Sequence, residues 1–248
     1  RVFFMSKNKK KSNFVVKVSI NKSLLKSLIY IQNKYLPTQQ KKQLLNLKIF
    51  KNFIINCEKK IKYNNKKVII VSFNPNNKYK IGHFLMKNIT DVASNFLGHL
   101  IAQNKEGKKN VLVYDRGRDL SINKGARYHQ TREGGSIHTD NVNLSLKWNY
   151  MILSCLSEGL VGGETILINA KDIYEKLRKR FKLAKKILQK NFYWEKRGVA
   201  KTFYSAPILK INDKGEPEFR YLRPYLESAH IKKKKPLSSK QLYALDVL

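Results

Sequence analysis

Cysteine is nearly absent: Cys57 and Cys155 are the only two in 248 residues, and their spacing suits neither a metal cage nor a redox pair. A disulfide-stapled secreted scaffold is thereby excluded, and reduced thiols in a cytoplasmic setting are expected, with Cys155 buried in the apolar run "YMILSCL". Glycine (12) and proline (6) are scarce, and 42% of the residues are hydrophobic, so the chain has the material for a substantial core and is not a disordered polymer. Long apolar runs are missing too. None approaches the roughly 20 residues that span a bilayer, and the basic start "RVFFMSKNKKK" is followed by no apolar core of a secretory signal. No membrane association is expected.

Acidic residues are few, 17 against 51 Lys+Arg, which leaves a formal charge of +34. Such a charge attracts polyanions without regard to sequence. The lysines are nevertheless spread along the chain with Asn and Ile, as in "NKKKSNF" and "KIKYNNKKVII", and do not form one arginine-rich face interleaved with aromatics. Drift toward AT-rich codons at tolerant surface positions accounts for that pattern. Nucleic acid is therefore not the expected partner, though the charge leaves it open.

Residues 1–13 read as a basic tail and 14–248 as one domain. From about 21 to 62, Leu and Ile recur at three- and four-residue intervals, which predicts two amphipathic helices broken near Pro37. "KKVIIVSFNP" reads as a strand closed by an Asn-Pro turn, and "ITDVASNFLGHLIAQN" as a helix. "VLVYD", "GGSIHTDNVNLSL", "NYMILSCLSE" and "GGETILINA" read as closely spaced strands, the pattern of a sandwich or barrel. Ile173, Leu177 and Phe181 then share a helix face. "TFYSAPILKIND" and "EFRYL" return to strand around the turn "DKGEP", and a last helix starts near Ser238 or Ser239.

The segment "TREGGSIHTDN" at 131–141 carries the chemistry. In a strand, residues two apart face one side, so His138 and Asp140 would present an imidazole and a carboxylate together, with Thr139 opposite. One neutral nitrogen and one anionic oxygen make two-thirds of the two-histidine-one-carboxylate facial triad of non-haem iron. Gly134 and Gly135 permit a bulge or close backbone approach at the mouth of a pocket. A second glycine pair enters "GGETILINA", where the Thr165 hydroxyl can point at a ligand carboxylate.

"IHTD" followed by "GGETILINA" resembles the taurine dioxygenase-like, clavaminate synthase-like branch of the Fe(II)/2-oxoglutarate oxygenases, over a stretch from about "NITDVASNFLGHLIAQN" to the end of the chain. The resemblance implies a mainly β fold, a double-stranded β-helix (jelly-roll, cupin-like) core over about 66–248 with flanking helices. It implies that His138 and Asp140 bind Fe(II) and that Thr165 contacts 2-oxoglutarate as cosubstrate. The reaction implied is dioxygen-dependent hydroxylation or desaturation of an unactivated C–H bond of a small molecule, an amino acid or related metabolite. Halogenation is disfavoured, because Asp140 keeps the position that halogenases leave open for chloride. Enzymes of this branch take a third ligand, a histidine, and a 2-oxoglutarate-binding arginine from a late strand. Neither is evident, so the C-terminal part of the jelly roll is expected to be missing, and His230 is the one downstream histidine on offer as a doubtful third ligand.

Arg132 and Glu133, directly before the motif, and Asn141, directly after it, are candidate substrate or ligand-orienting groups. Arg220 and Arg223 in "FRYLRPY" are candidate clamps for an anionic substrate. His83 and His99 read as structural, and His129 as a group near the motif. The alternative from another class is a basic nucleic-acid-binding module on a catalytically inactive oxygenase fold. Salt-dependent binding without succinate formation distinguishes it.

Overall fold

The computed structural model describes residues 14–63, 67–73, 81–103, 106–117, 135–144, 148–196 and 200–248, which form two compact units. Unit 1 combines residues up to 101 with 149–166, and unit 2 combines 102–148 with 167–248.

In unit 1, β1 (Val15–Ser19) pairs in parallel with β2 (Val68–Ser72), in register from Val15 opposite Val68 to Ser19 opposite Ser72. Parallel partners need a long crossover. Here it is helical: α1 (Lys22–Lys34), α2 (Pro37–Asn46) and α3 (Lys48–Tyr63). The Asn21 side chain starts α1 by accepting from Leu24 N at 2.8 Å. Pro37 does interrupt the apolar periodicity, but it does so by opening α2, where its missing N–H costs nothing, so three helices stand where two are expected. α4 (His83–Leu97) packs on α2 and α3. Leu24, Leu28, Leu44, Phe50, Leu85 and Val92 form the centre of this core.

Segment 149–166 is held to unit 1 by polar contacts. Thr90 Oγ1 and Ser154 Oγ lie 2.6 Å apart, and Tyr150 OH donates to Glu58 Oε1 at 3.3 Å. Ile152 and Ser154 turn inward while Met151, Leu153 and Cys155 turn out, so Cys155 is an exposed free thiol and not the buried one expected. Alternation along an extended run decided its side. Cys57 is the buried thiol, and burial pushes its pKa up.

Unit 2 contains α5 (Ala170–Arg180), α6 (Lys182–Leu188), β3 (Asn191–Glu195), β4 (Phe203–Pro207), β5 (Leu209–Ile211), β6 (Pro217–Phe219), α7 (Arg223–Lys232) and α8 (Ser239–Val247). β3 with β4 and β5 with β6 form two antiparallel ribbons. Ile173, Leu177 and Phe181 do share one core face, although the chain breaks between α5 and α6 at Phe181. Ser238 caps α8 in a reciprocal box with Gln241. Trp194, Leu188, Ile208, Leu209 and Leu226 lie at the centre of this second core.

The jelly-roll expectation is overturned. Of the described residues 46% are helical and 13% are strand, all of it in two-stranded sheets. "VLVYD", "NYMILSCLSE" and "GGETILINA" belong to no sheet, with Val113, Leu153 and Ile166 between 64% and 72% exposed. Short apolar runs do not by themselves distinguish a sheet strand from an extended connection. The partner edge that settles it is non-local. No described helix is long and apolar enough to cross a membrane.

His230 has a structural role in unit 2. It is 4% exposed on α7, its Nδ1 donates to Lys235 O at 2.7 Å, and its Nε2 accepts from Tyr193 N at 3.1 Å. Burial holds its pKa below the ordinary value of about 6.5. Because the unfolded imidazole takes up a proton that the folded one resists, this contribution is complete above pH about 6.5 and falls as the pH drops below it. Urea midpoints measured from pH 7.5 down to pH 5 should show this decline, and His230→Asn should flatten it. An undiminished pH dependence in the variant would remove His230 as its source.

Candidate metal centre

Residues 135–144 form an irregular loop with a turn over 140–143, not a strand. His138 and Asp140 still come side by side, with Nε2 and Oδ1 3.8 Å apart and both side chains partly solvent-accessible. A turn, and not the face of a strand, brings the two side chains together. His138 Nδ1 donates to Ser136 O at 2.6 Å, which places the lone pair of the neutral ring on Nε2, the nitrogen nearer Asp140. Two ligands at right angles, each about 2.1 Å from an ion, stand about 3 Å apart. The observed separation exceeds that spacing by under about 1 Å.

Gly135 makes room for this ring. A Cβ built there would stand 3.0 Å from His138 Cε1 and 3.4 Å from Nδ1, tighter than ordinary packing. The second glycine is therefore a matter of space, since its backbone is not left-handed. Gly135→Ala should push the imidazole off Ser136 and weaken Co(II) binding by roughly tenfold, the scale of a lost ligand-orienting contact. Unchanged affinity would show that the ring position is not what matters.

Thr139 anchors the loop. Its N–H donates to Tyr221 O at 2.7 Å, and its hydroxyl accepts from Tyr221 N at 2.9 Å. On the far side of the donors, Tyr204 OH donates to Val142 O at 2.5 Å, while Arg220 Nη1 donates to Leu144 O and to Tyr204 OH, both at 2.6 Å. Burial pushes the Tyr204 phenol up, so it keeps its proton and remains a donor. Val142 completes the anchorage by burying its side chain in the unit 2 core. Two clamps thus bracket the donor pair.

Asn141 is left-handed at φ 59°, a conformation that Asn tolerates better than most residues. Among the described residues its buried Nδ2 has no hydrogen-bond partner. A buried donor left over beside two metal-type donors fits a ligand that brings an acceptor oxygen.

The other expected residues fall elsewhere. Arg220 is committed to the clamp described above. Arg223 is bound to Glu227 Oε1 at 2.7 Å and Asp246 Oδ1 at 2.8 Å, which raises its pKa and occupies it as a structural tie across α7 and α8. His230 has hydrogen bonds at both ring nitrogens and so offers no lone pair to a metal. Thr165 is partly buried in unit 1, after Gly162 and Gly163 at φ 78° and 85°. Arg132, Glu133, His129 and Gly134 lie outside the described residues. His83, on α4, meets Ser157 Oγ at 3.0 Å through Nε2.

Among the described residues no group of three or more His, Cys, Asp or Glu forms a complete metal cage. The donor set fits two positions of a divalent ion. Tyr204, Tyr221 and Ser136 are the contributors that motif reading misses. Only Ser136, two residues before His138, carries a local signal.

Comparison with family models, curated proteins and solved structures finds no match.

Proposed function

We propose that the chain acts as an Fe(II)- and 2-oxoglutarate-dependent oxygenase that hydroxylates or desaturates a C–H bond of a small molecule, with an amino acid or related metabolite as the substrate class. The observation that carries this reading is the His138–Asp140 pair, an imidazole nitrogen and a carboxylate oxygen 3.8 Å apart on a doubly clamped loop. Support comes from the donors and their order with "GGETILINA", not from the architecture. Iron, when bound, would supply the redox chemistry that couples dioxygen reduction to decarboxylation of the cosubstrate.

The chain's own residues supply position. His138 Nε2 and Asp140 Oδ1 would hold two adjacent coordination sites, and the Asn141 amide would donate to an oxygen of a ligand bound beside them.

Anaerobic titration of the protein with Fe(II) and 2-oxoglutarate is the test. A weak visible charge-transfer band is expected, followed on admission of air by one succinate per 2-oxoglutarate consumed. Absence of both the band and succinate would sink the proposal.

A further inference from the structure

Lys232 to Lys235 are four consecutive exposed lysines, and like charges packed this closely repel one another. A solvated run relieves that repulsion by staying mobile. This run is instead fixed in place. Lys233 N donates to Ala229 O at 3.0 Å, Lys234 N to Ile231 O at 2.9 Å and Lys235 N to His230 O at 3.1 Å. The imidazole of His230 holds Lys235 O from below, and Lys234 sits left-handed at φ 54°.

The fixed run lies over the β3–β4 ribbon. Phe192 and Trp194 face the core, so the alternation of β3 turns Tyr193 and Glu195 to the other side. Glu195 is opposite Phe203, which therefore shares that side with Tyr193. Lys233 Nζ stands 5.1 Å from the Tyr193 ring centre and 5.6 Å from that of Phe203, both rings half-buried, and Lys232 Nζ binds Glu195 Oε1 at 2.8 Å.

From this arrangement we infer that the end of α7 and the outer face of the β3–β4 ribbon bind single-stranded nucleic acid, the lysines contacting successive phosphates and the Tyr193 and Phe203 rings taking a base face. A cationic row beside sequence-tolerant aromatic platforms is what single strands require. A duplex keeps its bases stacked and cannot use the rings, and an anionic lipid surface would use the lysines alone. Lys233 Nζ stands over both rings, so a base that stacks there takes the place of that ammonium. This inference does not depend on the oxygenase proposal.

The test uses fluorescence anisotropy of labelled oligo(dT) on the whole chain over a range of salt. Three proteins are compared: wild type, Lys233→Gln/Lys234→Gln/Lys235→Gln, and a control, Lys22→Gln/Lys26→Gln/Lys42→Gln, which removes the same charge from unit 1. The patch variant should lower the slope of log affinity against log salt by about 2, at about 0.7 per single-strand phosphate contact, while the control leaves it near wild type. Tyr193→Leu should weaken oligo(dT) roughly fivefold or more without changing competition by inorganic polyphosphate. Equal effects of the two triple variants would overturn the inference by showing that the overall charge is responsible. So would a Tyr193→Leu protein that binds like wild type. Lysine-dependent binding to phosphatidylserine vesicles without oligo(dT) binding would overturn it in favour of a lipid surface.

Discussion

Asp140→Ala is expected to abolish 2-oxoglutarate-dependent succinate formation and to leave the fold unchanged. Asp140 is about half exposed and lies outside both buried clusters, so its removal should cost within about 0.5 kcal/mol. Its loss to a bound cation is another matter. Removing a residue that merely orients a ligand costs about 10–100-fold in metal affinity, and removing one of two ligands should cost about 100-fold or more. Co(II) affinity measured beside a thermal melt separates the two effects. The melt should match wild type while binding is lost. Succinate production at the wild-type rate would remove Asp140 from the centre, whereas a collapsed melt would assign it a structural role.

The largest loss of stability is expected from Trp194→Ala, about 3–5 kcal/mol, out of the 5–15 kcal/mol typical of a folded domain. Trp194 is fully buried, and its Nε1 donates to Ala206 O at 3.0 Å, so truncation opens a cavity and removes a hydrogen bond at once. The effect should also reach the donor loop. Trp194 pairs across the ribbon with Tyr204, whose hydroxyl holds Val142 O and accepts from Arg220. Urea unfolding followed by hydrogen exchange at the β3 amides should report the loss, and Co(II) affinity should fall in parallel. Trp194→Phe, which keeps most of the ring and forfeits the N–H, should recover most of both. Full recovery of stability without recovery of affinity would break the proposed link between the ribbon and the donors.

Most helices were legible because their information is local, in the Leu and Ile spacing of α1 to α4 and in Ser238 as a cap, although Pro37, expected as a break, opens a helix of its own and α7 was not foreseen. The short strands β2, β4 and β5 were legible for the same reason, as β-branched or aromatic runs between turns. The middle of the chain was not. "VLVYD" and "GGETILINA" have strand composition, but pairing depends on which edge lies alongside, and composition does not encode that. The His138–Asp140 juxtaposition was legible from two-residue spacing, although a turn and not a pleat brings it about. The clamps of Tyr204, Tyr221 and Arg220 were invisible, because Tyr204 meets Val142 across 62 positions and Tyr221 meets Thr139 across 82. His230 looked like chemistry because it is a histidine in a histidine-poor chain. Its two backbone partners show why a buried imidazole can be purely architectural.

The interleaving of the units also dictates when each can finish during synthesis. Unit 1 draws on residues up to 101 and again on 149–166, and Thr90 of α4 meets its partner Ser154 only 64 positions later. At about 5–20 residues per second, α4 waits roughly 3–13 s on the ribosome for that segment. Throughout that interval the surface that receives Ile152 faces water in a nascent chain that has already made the first half of its core. A holdase would find its target there, before any of unit 2's helices has emerged.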